Sequence, residues 1–280
     1  MLVVKEIDKL KSLIKETKSE GKSVGLVPTM GALHAGHLSL VERAGKQTDF
    51  VVVSIFVNPT QFNDLRDLKT YPRNLDGDLK RLDRGPCQVV FAPEVETIYP
   101  EPDARQFGFG NLEAVMEGRF RPGHFNGVAQ VVSKLLTIVE PDKAFFGLKD
   151  FQQVAVVKTM VKQLNLPVEI VPCPIVREPD GLAMSSRNQR LTPEQRTNAP
   201  FIYRTLTEAV RRAGDKDVED LKEWVVEQIN ANPFLKIEYF EIVDNENLMP
   251  VRDWSSTLNK TGCIAVFCGE VRLIDNVAFK

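Results

Sequence analysis

The sequence predicts an α/β protein in which a doubly wound parallel sheet is followed by a second, smaller α+β domain. Two observations carry this prediction: short apolar runs alternate with helical patterns through the first half of the chain, and the alternation ends near Pro174. Strand–helix–strand alternation implies parallel strand pairing, with helices on both faces of one sheet. We therefore expect a larger domain over residues 1–174 and a smaller one over residues 175–280.

The first ninety or so residues supply the opening elements of the sheet. Apolar residues from Ile7 to Ile14 recur at helical spacing and predict a helix over residues 6–20. The apolar, β-branched run at Phe50–Val57 is typical of a strand that is covered on both faces. The other predicted elements are a strand at Val24–Pro28, a helix at Leu38–Gln47, a helix at Asn74–Arg84 and a strand at Val89–Ala92.

Residues 93–123 break this rhythm because they are rich in proline and glycine. A long irregular segment inside a compact domain is often a functional loop. Regular elements then resume, with a helix at Asn126–Glu140, a strand at Lys143–Phe146, a helix at Phe151–Leu164 and a strand at Val168–Val171. These elements predict a Rossmann-like sheet, whose ligands bind beyond the carboxyl ends of its strands.

The second domain follows the stiff stretch Pro172-Cys173-Pro174. Its pattern is mixed, with long helical stretches first and strand-like runs afterwards. We predict helices at Pro193–Ala213 and Val218–Asn230, and strands at Ile237–Val243, Ile264–Cys268 and Val271–Ile274.

Composition narrows the class of function. A formal net charge of −2 gives no global electrostatic attraction to a nucleic-acid backbone. No apolar run approaches the length needed to span a bilayer, and Met1–Glu20 lacks the uninterrupted apolar stretch of a signal peptide. The four cysteines are scattered without a CxxC pair, as expected for reduced thiols. We expect a cytoplasmic protein that binds small molecules and neither nucleic acid nor membrane.

The turn between the predicted strand at Val24–Pro28 and the next helix contains two glycines and two histidines. A glycine-bearing turn into a helix N-terminus suits phosphate, because backbone N–H groups and the helix dipole both favour an anion there. His34 and His37 are three residues apart, so one turn of helix puts them on the same face. A tight turn with two surface imidazoles and a metal-binding pair remain open, but the chain has only three histidines and two fall here.

Polar side chains follow the next predicted strand. Asn58 and Gln61 come after Val57, and amides suit a substrate that presents hydroxyl groups and a carboxylate. A proline-initiated turn with solvated amides explains them equally well. Asp76 and Asp78 could hold Mg²⁺ through oxygen ligands, or could be acids in the first turn of a helix.

Three later segments also carry candidate anion-binding groups. Arg119–Phe125 places two arginines and His124 beside a Pro-Gly turn, which could equally be a solvated basic loop. Lys149 stands at a strand-to-helix junction, where Asp150 could act as the helix N-cap. Ser185-Ser186-Arg187 is a compact phosphate-binding set just past the proposed domain boundary, although this triplet alone is common.

Taken in order, these segments resemble the pantothenate synthetase (pantoate–β-alanine ligase) family of the HxGH nucleotidyltransferase superfamily. The resemblance is carried by Pro-Thr-Met-Gly-Ala-Leu-His-Ala-Gly-His, Phe-Val-Asn-Pro-Thr-Gln-Phe, Arg-Pro-Gly-His-Phe, the Gly147–Gln153 segment and Met184–Arg187, over about residues 24–190. Three positions depart from the family pattern: Gly77 often has an acid, Gln130 is commonly threonine, and Leu148 is usually acidic. The departure at Gly77 leaves Asp78 as the matching acid, with Asp76 nearby.

The resemblance implies roles for individual residues. It implies an ATP site formed by Met30, Gly31, Ala32, Leu33, His34, Ala35, Gly36, His37, Gly147, Leu148, Lys149, Asp150, Val176, Met184, Ser185, Ser186 and Arg187. It implies a pantoate site formed by Gln61, Gln153, Asn58 and His124, with Gln61 also contacting β-alanine and Asp78 holding a metal. His37 is then the proton donor, with His34 and Lys149 as further catalytic groups.

The resemblance also implies the reaction, which joins pantoate to β-alanine with ATP and Mg²⁺ through a pantoyl adenylate. AMP and pyrophosphate leave, and the smaller domain closes over the ATP site to exclude water. A nucleotidyltransferase that stops after adenylyl transfer is the nearest alternative, since it shares His34 and His37 but has no need of Gln61 and Gln153. An RNA-binding module and a sensor without chemistry are further alternatives. A homodimer is expected from the resemblance alone.

Overall fold

A six-stranded parallel sheet forms the centre of the larger part of the molecule, in a computed structural model that describes residues 1–279. The strand order is β1–β4–β3–β2–β5–β6, and each described neighbouring pair runs parallel. The strands are β1 (Leu2–Val4), β2 (Val24–Thr29), β3 (Phe50–Ile55), β4 (Val89–Phe91), β5 (Lys143–Gly147) and β6 (Glu169–Cys173). The predicted doubly wound sheet is confirmed.

The helices around this part of the chain are α1 (Ile7–Ser19), α2 (Ala35–Gly45), α3 (Leu65–Thr70), α4 (Leu75–Leu82), α5 (Val95–Ile98), α6 (Asn111–Ala114), α7 (Met116–Phe120), α8 (His124–Val139) and α9 (Phe151–Gln163). Five of the six residues of β2 and the middle four of β3 are buried, because helices cover both faces of the central strands.

The direction of the chain through the sheet reverses beside β2. From β2 the chain proceeds to β3 and β4 on one side, whereas β5 and β6 add on the other side. Such a reversal opens a crevice at the carboxyl ends of the strands, where doubly wound sheets bind ligands. The segments that follow β2, β3 and β5 are those in which the sequence predicts binding residues.

The chain divides into two compact units. The first comprises residues 1–109, 121–148 and 153–174, and the second comprises residues 110–120, 149–152 and 175–280. Two short segments inside the predicted first domain thus belong to the second unit. One of them contains Lys149.

The second unit is built on an antiparallel sheet of β7 (Leu235–Asp244), β8 (Lys260–Cys268) and β9 (Val271–Phe279), with α10 (Pro193–Asn198), α11 (Phe201–Arg212) and α12 (Val218–Ala231). Leu206, Leu221 and Ile264 lie in its apolar core and are fully buried. The structure contains two helices where the sequence predicts one over Pro193–Ala213, because the chain breaks at Ala199 and Pro200. No helix within residues 1–279 is both long and apolar enough to cross a membrane.

Candidate active site

The loop after β2 has an unusual backbone that a buried carboxylate holds in place. Gly31 and Ala32 both adopt the left-handed region, with φ of 79° and 49°. Asp78 of α4 accepts the N–H of Ala32 at 2.9 Å with one carboxylate oxygen and the N–H of Leu33 at 2.7 Å with the other. A Cβ on Gly31 would lie 3.0 Å from Asp78 Oδ2, so glycine permits this close approach. Asp78 therefore fixes the start of the predicted ATP loop.

This role differs from the metal ligation predicted for Asp78. The carboxylate is 3% exposed, and both of its oxygens bond to backbone N–H groups. Burial raises the pKa of Asp78, and the hydrogen bonds from Leu33 and Ala32 oppose that rise. Across residues 1–279 no group of three or more His, Cys, Asp or Glu side chains is arranged to hold a metal ion. The geometry thus supports loop positioning by Asp78.

The two histidines form a reciprocal cap at the start of α2. His34 is the N-cap residue, and its Nδ1 accepts the N–H of Gly36 at 3.1 Å. His37 Nδ1 accepts the backbone N–H of His34 at 3.3 Å, and the two ring centroids lie 4.0 Å apart. Because each Nδ1 accepts a hydrogen bond, the hydrogen-bond network assigns the ring proton to Nε2 in both residues. The cap therefore orients two neighbouring Nε2–H donors at a helix N-terminus, which suits phosphate oxygens.

Asn58, three residues after the end of β3, is buried and fully bonded within the protein. Its Nδ2 donates to Gln61 Oε1 and to the Gly127 carbonyl, both at 3.1 Å. Its Oδ1 accepts the Tyr99 hydroxyl at 2.9 Å and the N–H of Thr60 at 3.4 Å. The side chain is 1% exposed, and its hydrogen bonds orient its neighbours. Its predicted contact to pantoate stays a prediction.

Gln61 receives its orientation from Asn58. The Gly127 carbonyl can only accept and the Thr60 N–H can only donate, so Asn58 must turn its NH₂ toward Gln61. Gln61 Oε1 accepts from that group, and Gln61 Nε2 turns to the other side, where it donates to Met30 Sδ at 3.3 Å. The half-buried Gln61 thus presents an amide donor beside the predicted ATP loop.

His124 supports Gln61 from the other direction. Its Nδ1 lies 2.9 Å from the Gln61 carbonyl oxygen, which can only accept, so Nδ1 carries the proton. Its Nε2 then accepts from Arg121 Nη1 at 3.0 Å. His124 is 5% exposed and supports Gln61 from behind, while its predicted contact to pantoate stays a prediction.

Close packing joins these segments. A Cβ on Gly127 in α8 would lie 2.3 Å from the carbonyl oxygen of Thr60, so only glycine lets α8 meet the turn at Pro59–Gln61.

The sequence did not predict Tyr99, which lies in the irregular segment and bonds Asn58. Burial raises the pKa of Tyr99, so its hydroxyl remains protonated and available as a donor. No local sequence signal links Tyr99 to Asn58, because the contact spans 41 residues.

The remaining predicted residues of the first unit lie near the end of β5. Gly147 is the last residue of β5 and pairs in register with Cys173 of β6, and Leu148 follows it directly. Gln153 lies in α9 and is half-buried. Its proposed contact to pantoate stays a prediction.

The second unit holds the other predicted ATP-binding residues. Lys149 Nζ lies 3.2 Å from Asp150 Oδ1, and both residues precede α9 in a short 3₁₀ turn. The Val176 carbonyl accepts the N–H of Met184 at 3.0 Å, closing a hairpin. Ser185 then caps a 3₁₀ helix by accepting the N–H of Arg187 at 3.2 Å, and Ser186 is buried. These contacts order the Ser-Ser-Arg segment as a short helical turn.

A doubly wound sheet with two capping histidines at the helix after its β2 strand defines an α/β nucleotide-binding enzyme of the HxGH type. The sequence matches the model of the Pantoate-beta-alanine ligase family over residues 2–278. The chain belongs to this family, and the resemblance found in its motifs is confirmed. Members of the family are ligases, so the chain is an enzyme.

The chain is similar to named relatives over nearly the whole length of each chain. The chain is 54% identical over 280 residues to the pantothenate synthetase of Porphyromonas gingivalis, covering 100% of both chains. Its structure is similar to the crystal structure of pantothenate synthetase from Thermus thermophilus, with a TM-score of 0.92, 44% identity and 99% of both chains covered. It is also similar to pantoate-beta-alanine ligase from Francisella tularensis complexed with beta-gamma ATP and beta-alanine, with a TM-score of 0.81, 36% identity, and 99% and 97% of the chains covered.

Proposed function

We propose that this chain condenses pantoate with β-alanine through a pantoyl adenylate, using the residues that follow β2 and β3 to hold the reacting groups. The pantoate carboxylate attacks the α-phosphorus of ATP, and pyrophosphate leaves. The β-alanine amine then attacks the carbonyl carbon of the adenylate, which releases AMP and gives pantothenate. No protein nucleophile takes part, so positioning and electrostatic stabilisation supply most of the rate.

The observation that carries this proposal is the reciprocal cap formed by His34 and His37. Negative charge accumulates on phosphate oxygens as the α-phosphorus is attacked. Two Nε2–H donors held by backbone hydrogen bonds at the N-terminus of α2 stabilise that charge without reorganising. His37 serves as the proton donor in this scheme, and the backbone from Met30 to Gly36 binds ATP.

Amide side chains bind pantoate and β-alanine in this proposal. Gln61 presents its NH₂ group, which suits a carboxylate or hydroxyl acceptor on pantoate and later the β-alanine carboxylate. Gln153 supplies a second amide for pantoate. Asn58 and His124 act through Gln61, because each bonds to it and each is almost fully buried.

The second unit contributes the remaining ATP contacts in this proposal. Lys149 acts as a mobile point charge for phosphate. Ser185 to Arg187 supply two hydroxyl groups and a guanidinium, which binds phosphate oxygens through its fixed fork of donors. Gly147, Leu148, Asp150, Val176 and Met184 complete the proposed set.

The oxygen ligands that the protein offers indicate how Mg²⁺ reaches the site. Both oxygens of Asp78 already accept backbone N–H groups, and the described residues offer no cluster of three acids or other ligands. The residues therefore do not fit a protein cage for the ion. We propose that Mg²⁺ reaches the enzyme on the phosphates of ATP, as this strongly hydrated ion commonly does.

The proposal includes a cytoplasmic homodimer, on the strength of the family resemblance. Light scattering coupled to size exclusion tests the assembly, because a dimer has twice the 31.5 kDa mass of the chain. A single peak at the monomer mass at micromolar concentration contradicts it.

An isotope-transfer experiment tests the adenylate. Pantoate labelled with ¹⁸O in both carboxylate oxygens is incubated with ATP and β-alanine, and the products are analysed by mass spectrometry. The carboxylate oxygen that bonds to phosphorus stays there when the amine displaces AMP, so AMP gains one ¹⁸O and pantothenate keeps one. Label in inorganic phosphate, or unlabelled AMP formed at the rate of pantothenate, contradicts the proposed route.

A further inference from the structure

Two consecutive residues of β9 bond to Lys149 and to Arg177, which lies in the hairpin that leads into the proposed phosphate-binding segment Ser185–Arg187. Asp275 and Asn276 are 5% and 8% exposed. Asp275 faces Arg177, and Asn276 contacts Lys149. These contacts lie 98 and 127 residues apart in sequence, so only the folded unit brings them together.

Both terminal nitrogens of the Arg177 guanidinium donate two hydrogen bonds each. Nη1 donates to Asp275 Oδ2 at 2.6 Å and to the Gly181 carbonyl at 3.2 Å. Nη2 donates to Asp275 Oδ1 at 2.9 Å and to the Asn276 carbonyl at 3.2 Å. The guanidinium carbon also lies 3.7 Å from the centroid of the Tyr203 ring. A bidentate, stacked arginine of this kind fixes geometry in a way that lysine does not reproduce.

Arg177 belongs to the hairpin that leads into Ser185–Arg187. It pairs with Ala183 in an antiparallel bridge, and Val176 bonds to Met184. Gly181 completes the turn with φ of 93°, and a Cβ there would lie 2.5 Å from Tyr203 Cδ1. The ion pair with Asp275 therefore anchors the whole hairpin on β9.

Asn276 anchors the other segment. Its Nδ2 donates to the Lys149 carbonyl at 3.2 Å, and its own N–H donates to Asp275 Oδ1 at 2.7 Å. Burial raises the pKa of Asp275, while Arg177 and then Lys149 lower it. Asp275 is thus influenced by Arg177 of the hairpin and by Lys149 of the proposed ATP site.

We propose that Asp275 and Asn276 are positioning residues for ATP, which hold Lys149 and the hairpin that leads into Ser185–Arg187 at a fixed spacing on one strand. This inference rests on the proposed function, because it takes Lys149 and Ser185–Arg187 as phosphate ligands. Neither β9 residue touches the substrate in this scheme. Asn276 acts through the backbone of Lys149, and Asp275 acts through Arg177, which anchors the hairpin leading into Ser185–Arg187.

The test compares Asn276→Ala with a matched control in the same unit, Asn232→Ala. Asn232 donates its Nδ2 to Asn198 Oδ1 at 3.0 Å and bonds to no proposed ATP ligand. Each variant is measured for ATP dissociation constant, KM for β-alanine and melting temperature. We expect Asn276→Ala to weaken ATP binding about three- to tenfold, the loss of one hydrogen bond, with an unchanged KM for β-alanine. The control should lose a similar amount of melting temperature and bind ATP normally.

A double variant with Lys149→Ala gives a readout that a general structural role would not move. If Asn276 acts through Lys149, Asn276→Ala weakens ATP binding by less than about twofold in the Lys149→Ala background. If Asn276→Ala does not fold, Arg177→Lys replaces it, since that change keeps the charge opposite Asp275 but loses the fork. The same selective loss of ATP binding is then expected.

These variants distinguish a failure of the proposed function from a failure of the positioning proposal. If Lys149→Ala binds ATP like the unaltered enzyme, the phosphate role of Lys149 in the proposed function is wrong, and the positioning proposal fails with it. If Lys149→Ala is impaired but Asn276→Ala behaves like Asn232→Ala, or its loss is fully additive with Lys149→Ala, only the positioning proposal is overturned.

Discussion

The carboxylate of Asp78 accepts the backbone N–H of Leu33 at 2.7 Å, one residue before the first of the two capping histidines. Its second oxygen binds Ala32, whose φ of 49° is uncommon for a residue with a side chain. A loop with this backbone needs an external partner to persist. Asp78 therefore links α4 to the geometry of the proposed phosphate site.

Replacing Asp78 with asparagine should harm ATP binding more than stability. One oxygen acceptor is lost and an NH₂ group faces a backbone donor, while the burial of a charge is also relieved. We expect the free energy of unfolding to change by less than about 2 kcal/mol, and ATP affinity to fall about tenfold or more. Urea unfolding and calorimetric titration with ATP measure the two quantities.

Asp76→Asn is the matched control, because Asp76 lies in the first turn of the same helix but is exposed. It should bind ATP like the unaltered enzyme. Equal ATP affinity in the two variants would refute the positioning role of Asp78.

His37 offers a pair of substitutions that separate its two nitrogen atoms. Asparagine can place an acceptor near Nδ1 and so keep the cap on His34, but it has no donor at the Nε2 position. Glutamine can reach the Nε2 position with an amide donor. We expect His37→Asn to lower the rate of adenylate formation by at least about 100-fold, with stability changed by about 1 kcal/mol or less.

His37→Gln should retain more activity than His37→Asn. Single-turnover formation of the adenylate, followed by quenching, measures both variants. Both substitutions remove the imidazole, so the order of the two rates separates the roles of the ring nitrogens. If His37→Asn reacted faster than His37→Gln, the reaction would need the cap and not the Nε2 donor.

Asn58→Asp should disturb pantoate binding without touching ATP. The new oxygen would face Gln61 Oε1 and the Gly127 carbonyl, which are both acceptors, so Gln61 must turn its own oxygen outward. We expect KM for pantoate to rise about tenfold or more and KM for ATP to stay within about twofold. Thr60→Val serves as control, since it removes a hydroxyl bond to Asn58 Oδ1 but leaves the backbone donor. A rise in both KM values together would show that Asn58 acts on the fold at large.

The lowered pKa of the Asp103 carboxyl should make the stability of the protein depend on pH. Hydrogen bonds from Arg105, at 2.5 Å, hold the pKa of its carboxyl at about 2, below the ordinary 3.8. A depressed pKa adds stability that is present above the ordinary value and is lost as the pH falls toward 2. Because Arg105 is itself 45% exposed, we expect a contribution of about 1–2 kcal/mol at neutral pH.

Urea unfolding of Asp103→Asn and of the unaltered chain checks this. The difference in unfolding free energy should be constant from pH 7 to about 5 and shrink as the pH falls below 4. A difference that grows on acidification would contradict the depressed pKa. Asp76→Asn again provides an exposed carboxyl for comparison.

The sequence predicted the sheet well because its signals are local. β2, β3 and β5 are apolar, β-branched or aromatic runs, and each lies within three residues of its predicted limits. The sequence missed β1 and α3, which are three and six residues long and too short for a periodic pattern. Residues 110–120 read as irregular, and their membership of the second unit depends on long-range contacts such as Arg272 with Glu117.

The sequence predicted where the candidate site residues lie in the fold, whereas the contacts of their side chains are known only from the structure. The strand ends and the two histidines follow from local pattern, and the capping of α2 by His34 is a new observation of the structure. Asn58, His124 and Asp78 were predicted to touch ligand or metal, and the structure adds hydrogen bonds by which each supports a neighbouring group. Sequence alone does not show these bonds, or that each residue is 5% exposed or less, because both depend on long-range contacts.

The most direct test of the two-step ligation is an assay of AMP and pyrophosphate in which each substrate is omitted in turn. If the two-step ligation is correct, pyrophosphate release requires pantoate, and sustained AMP formation requires both pantoate and β-alanine. Pyrophosphate released at an equal rate without pantoate would contradict the adenylation of pantoate. AMP formed at the full rate without β-alanine would contradict ligation as the reaction of this chain.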